Sequence, residues 1–121
     1  MTLQQWIEKY ESKTGDKFFI PEHFNLAFDE QHGIFCFAFG EFEGREWLEI
    51  CCACVDSWKW LYDSVAETVI NNKLAGVIAS TNRNPKAFCK LTGAKSRPMP
   101  DGSFLLIWEV QNVKYDSFKS S

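Results

Sequence analysis

No apolar run in this chain approaches the length of a membrane span, and the opening MTLQQWIEKYESK carries neither a basic leader nor an apolar core. The expected setting is therefore the cytoplasm, with no membrane partner. Neither sign of charge is in large excess. The 16 acidic and 13 basic residues leave a net charge of −3, which argues against the broad positive footprint of a nucleic-acid-binding surface. Internal repeats, low-complexity tracts and linkers are absent. A chain of 121 residues has room for one packed core and not for two ordinary domains. Residues 1–110 are read as a single domain and 111–121 as a polar C-terminal tail. Apolar surface, by contrast, is plentiful. Hydrophobic residues make up 45% and aromatics 16%, including 5 Trp and 11 Phe, enough to exclude disorder away from the ends.

Histidine is scarce and cysteine is not. Of the 5 Cys, three fall in ICCACVDSWKW, residues 50–60, and three chemistries compete for that stretch: a metal site, a redox pair, or a strand-to-helix corner that holds phosphate. A structural zinc site wants four ligands in two close pairs. Cys51 and Cys54 supply one pair, while Cys36, Cys89, His23 and His32 are scattered singly. In a regular strand, residues three apart point to opposite faces, and no glycine here makes a turn. No metal is expected. A redox pair belongs at a helix N-terminus rather than inside a strand, and an odd number of thiols in a reducing compartment makes no disulfide framework. The thiols read as small apolar side chains filling a buried strand, and both histidines as surface or loop residues.

The hydrophobic pattern supplies the elements. Thr2 and Gln5 have capping-box spacing, and Leu3, Trp6, Ile7 and Tyr10 share one helical face until Gly15 stops it. Residues 16–32 stay open between strand and turn, because Pro21 forbids one continuous element there. GIFCFAFG and EWLEICCACV are extended runs either side of the turn residues EFEG, an antiparallel pair. Trp58, Leu61, Tyr62, Val65 and Val69 have helical spacing over 58–72, and the buried strand LAGVIAS completes a β-α-β unit. PKAFCKLTG is a further helix closed by Gly93, and the turn PDG leads into the strand SFLLIWEV.

This order resembles the C-terminal two-thirds of the GCN5-related N-acetyltransferase (GNAT) fold, over about Gly33 to Val110. NRNPKAFCKLTGA carries the likeness best: it resembles the family's fourth-helix pattern of an Asn, here Asn82, an aromatic further along, and a Gly one turn later, here Gly93. Within the family, the small acetyltransferase-like proteins of short-tailed bacteriophages look most similar, which implies a host cytoplasm or a virion. The expected fold is α+β, a mixed α/β sandwich whose central sheet has an antiparallel N-terminal part, a β-α-β unit and helices on both faces. Its strands Trp47 to Val55 and Leu74 to Ser80 are expected to run parallel and diverge.

The resemblance implies transfer of an acetyl group from acetyl-coenzyme A to an amine. Such catalysis consists of positioning, stabilisation of the oxyanion and a proton for the departing thiolate. The cofactor's pyrophosphate would meet the corner Val55, Asp56, Ser57 and Lys59, with Asn82 beyond it. The family's corner is rich in glycine, whereas VDSWKW has none. Asp56 is expected to cap the helix with a charge that repels phosphate, leaving only Lys59 to compensate. Where the family often has a thiolate-protonating tyrosine stands Cys89. The candidate base is Glu49, with Glu41 and Glu46 nearby. Two functions stand: a degenerate GNAT-fold protein that binds a partner without acyl transfer, through Trp58, Trp60, Tyr115 and Phe118, or an active N-acyltransferase on an amine.

Overall fold

The computed structural model describes residues 1–109. The tail 111–121, with Tyr115 and Phe118, lies outside the described residues, as does the side chain of Trp58. Helix α1 (Leu3–Thr14) begins with both halves of the Thr2/Gln5 capping box and ends at Gly15, whose φ of 75° is the left-handed cap. Strands β1 (Asn25–Asp29), β2 (Gly33–Phe42) and β3 (Arg45–Val55) form an antiparallel meander. Helix α2 (Trp58–Asn71) leads to β4 (Gly76–Thr81), and helix α3 (Lys86–Thr92) to the closing hairpin β5 (Lys95–Pro98) and β6 (Phe104–Glu109). Among the described residues these make one mixed α+β sheet of order β1-β2-β3-β4-β6-β5, in which only β3 and β4 are parallel.

Two clusters sit on opposite faces because strand side chains alternate. Phe35, Leu48, Ile50, Val77 and Trp108 pack against Leu61, Tyr62 and Val65 of α2, and Phe88 of α3 joins them. On the other face, Ile34 and Cys54 pack against Trp6 of α1. A third cluster, Trp47, Ala75 and Ile78, is covered by Phe42, Leu105 and Ile107. Arg97 of β5 pairs with Glu43 at the β2–β3 turn (2.8 Å) and lies over the Phe42 ring, while Arg45 lies over Trp47.

The β2–β3 ladder contains a bulge. Ile34 opposes Cys54 and Cys36 opposes Cys51, so three steps on β3 face two on β2, the extra residue of a β-bulge. Cys52 there has a φ of +53°. This corrects the reading that residues three apart must diverge: Ile34 and Cys36 share a face, so their partners Cys54 and Cys51 do too. A non-glycine residue makes the turn.

Candidate functional site

Pairing between the parallel strands runs from Leu48↔Val77 to Ile50↔Ala79. Beyond it β3 continues to Val55 and β4 to Thr81 unpaired with each other. The bulge at Cys52 lies just past that point, and bulges bend and twist the strand that carries them. A cleft of about 660 Å³ opens there. Ile50, Leu61, Val65, Val77 and Trp108 give it apolar walls, and Tyr10, Lys13, Thr81, Asn82 and Arg83 add polar groups. The Arg83 guanidinium donates to the carbonyl of Lys13 (3.3 Å), tying the β4–α3 loop to the end of α1.

The corner differs from expectation. Ser57, not Asp56, is the N-cap of α2, its hydroxyl accepting from the N–H of Trp60 (3.2 Å). Asp56 instead turns to the β1–β2 hairpin: its N–H donates to the carbonyl of His32 (2.9 Å), and its carboxylate meets His32 Nδ1 at 3.1 Å. The His32 ring stacks on Trp60 (5.5 Å between centroids), and Trp60 meets Phe35 edge-on. Trp60 is therefore half-buried between two rings. Lys59 pairs with Asp63 one turn along α2 (3.1 Å). The sole cation from Val55 to Trp60 is thus engaged within its own helix.

Of the residues singled out in sequence, Val55 and Asn82 line the cleft, while Asp56, Ser57 and Lys59 lie at the corner beside it. Neither proposed catalytic residue reaches it. Cys89 is part-buried against the α2-side cluster, and its backbone serves α3, accepting from the N–H of Gly93 (2.9 Å). Glu49 is half-buried in register with Ala38 and Ile78, and its carboxylate lies against Gly40. Glu41 and Glu46 oppose each other at the exposed β2–β3 end. His23 is exposed, whereas His32 belongs to the corner. Among the described residues no three His, Cys, Asp or Glu side chains are grouped to hold a metal.

The cleft also gathers residues that sequence reasoning did not assign to a site. Burial chiefly, with the neighbouring Cys52, pushes the Tyr10 phenol up to about 12, so it keeps its proton at neutral pH. Trp108, only 6% exposed, lines the cleft, and its indole N–H has no hydrogen-bond partner among the described residues. The helical stripe that contains Tyr10 was visible as a core face. For Trp108, the last strand's aromatic, no signal separated a cleft residue from a core one. Neither a family model, nor a curated protein, nor a solved structure matches this chain.

Proposed function

We propose that this chain is a GNAT-like binding protein with a degenerate acetyl-coenzyme A site, and that it does not transfer acyl groups. The strand order, with one parallel pair parting at a bulge to open a cleft, supports the fold reading. The observation that carries the loss of function is the corner, where Asp56 is held by His32 and Lys59 by Asp63 with no glycine between Val55 and Trp60. Backbone donors bare enough to meet a pyrophosphate are what a glycine turn supplies. Cys89 and Glu49, the candidate acid and base, lie outside the cleft lining. What remains is a cleft with apolar walls, a protonated phenol and the polar side chains of Lys13, Thr81, Asn82 and Arg83, suited to a ligand with an apolar body and a few polar groups.

Calorimetric titration with acetyl-coenzyme A tests this reading. The expected dissociation constant is poorer than roughly a millimolar, about 4 kcal/mol of binding free energy. Micromolar affinity that falls in Lys59→Ala would overturn it. The second reading, an active N-acyltransferase, draws on the cleft itself, because its mouth is open to a ligand and Tyr10 offers an O–H there. Chromatographic detection of free coenzyme A released in the presence of a panel of primary amines decides between the two.

A further inference from the structure

We propose that Cys36 and Cys51 form a modification site, a cross-strand thiol pair at the β-bulge that a hydroperoxide entering the cleft converts to a disulfide. The two residues are directly opposed in the antiparallel β2–β3 ladder. Opposed Cα atoms in such a ladder lie about 4.5–5.5 Å apart, inside the roughly 4.4–6.8 Å that a disulfide spans. Their side chains share a face, since opposed residues of a ladder do.

The other thiols lack this arrangement. Cys52 lies within reach of both thiols, but as the bulged residue next to Cys51 in sequence it opposes no residue of β2, and its sulfur is directed to the carbonyl of Phe19 (3.6 Å). Cys54 opposes Ile34 and packs on Trp6, and Cys89 is on α3. Access is also asymmetric. Cys36 is 0% exposed, whereas Cys51 is half-buried and lines the cleft. Oxidant therefore reaches Cys51 first, and Cys36 is the resolving partner behind it.

The chemistry runs in two displacements. The Cys51 sulfur, having lost its proton, attacks a peroxide oxygen. The O–O bond breaks, and the alkoxide leaves as an alcohol with that proton, giving a sulfenic acid on Cys51. The Cys36 sulfur then attacks the Cys51 sulfur, the S–O bond breaks, and hydroxide departs as water with the Cys36 proton. Two thiols and one hydroperoxide yield one disulfide, one alcohol and one water. Burial raises the proton affinity of both thiols, and the thiolate is the nucleophile, so the reaction needs sustained exposure rather than a brief pulse.

The test treats the full chain with cumene hydroperoxide for hours, alkylates remaining thiols under denaturing conditions and maps tryptic peptides without reductant. Cleavage after Arg45 separates Cys36 from Cys51. Two of the 5 thiols should escape alkylation. Fragmentation should place the link between Cys36 and Cys51, and dithiothreitol should reverse it. The link should vanish in Cys51→Ser and persist in Cys52→Ser. A link at Cys52 or Cys54, a link that survives Cys51→Ser, or over-oxidation of Cys51 beside a free Cys36 would each overturn the proposal. If Cys51→Ser does not fold by circular dichroism, fragmentation of the unmutated chain decides alone.

Discussion

The proposed exclusion of phosphate at the corner makes a quantitative prediction for its two acidic side chains, Asp56 and Asp63. Replacing Asp56 by Asn removes one anion and leaves a side chain able to hydrogen-bond His32. Replacing Asp63 by Asn releases Lys59, whose ammonium now sits 3.1 Å from that carboxylate. Both members of the Lys59–Asp63 pair are about 40% exposed (43% and 39%), so its loss costs no more than about 0.5 kcal/mol of stability. The electrostatic gain for a bound pyrophosphate is larger. Unit charges about 4 Å apart interact by about 1 kcal/mol in water-like surroundings, so the two replacements together contribute roughly 2 kcal/mol, or about 30-fold in affinity. Calorimetry of the Asp56→Asn/Asp63→Asn double variant with coenzyme A at low salt should show that gain. It should shrink in 1 M salt, where the screening length is about 3 Å. An affinity that does not move would show that the missing glycine turn, not charge, closes the corner. An unmutated chain that already binds at micromolar levels would refute the account of the corner altogether.

Other outcomes follow from the packing. Gly76 has a φ of +155°, and a Cβ there would collide with the Trp108 carbonyl. Gly76→Ala should cost more than about 3 kcal/mol in urea unfolding, against about 1 kcal/mol for Gly44→Ala, whose site at a φ of +77° is open; equal costs would contradict the close approach of β4 and β6. Leu48 is 1% exposed between the sheet and α2, so Leu48→Ala should cost about 2–5 kcal/mol by the same measurement. Burial lifts Cys36 from 9.0 to about 11. The folded chain then holds this proton where the unfolded chain has released it, so stability should fall as pH rises from about 9 to 11. Urea midpoints across that range should decline less steeply in Cys36→Ala.

The elements that short-range pattern encodes were legible in the residues. Thr2 and Gln5 announce α1, the spacing of Leu61, Tyr62 and Val65 announces α2, and Gly93 closes α3 with a φ of 79°. The parallel pairing of β3 with β4 was also expected, and Leu48↔Val77 through Ile50↔Ala79 run that way. Strand β5, KSRP, was not legible. It is exposed along its whole length and short, so it has no apolar alternation, and its only reason to be extended is its pairing to β6. β1 is illegible for a similar reason: its residues become strand by pairing with β2, a contact that local sequence does not display.

The site was less legible, because what decides it is long-range. Asp56 reads locally as a helix cap, since Asp is a favoured N-cap residue. His32, 24 positions away, takes its carboxylate, and Ser57 fills the cap instead. The cysteines pose the same problem in a different form. Alternation places Cys51 and Cys54 on opposite faces only while the strand is regular, and the extra residue at the bulge brings them to one face. A non-glycine residue at a φ of +53° carries a backbone cost that composition does not reveal. That same irregularity lies where β3 leaves β4, so the step that defeats the sequence pattern is also the one that opens the cleft. Deleting Cys52 should therefore do two things at once: make the strand regular from Cys51 to Cys54, with Cys54 still opposite Ile34 and packed on Trp6, and close the cleft to ligands. The contact of Cys54 with Trp6 is kept, so the variant should stay folded, and a crystal structure of it in which β3 and β4 still part beyond Ile50 and Ala79 would show that the bulge is not what opens the cleft.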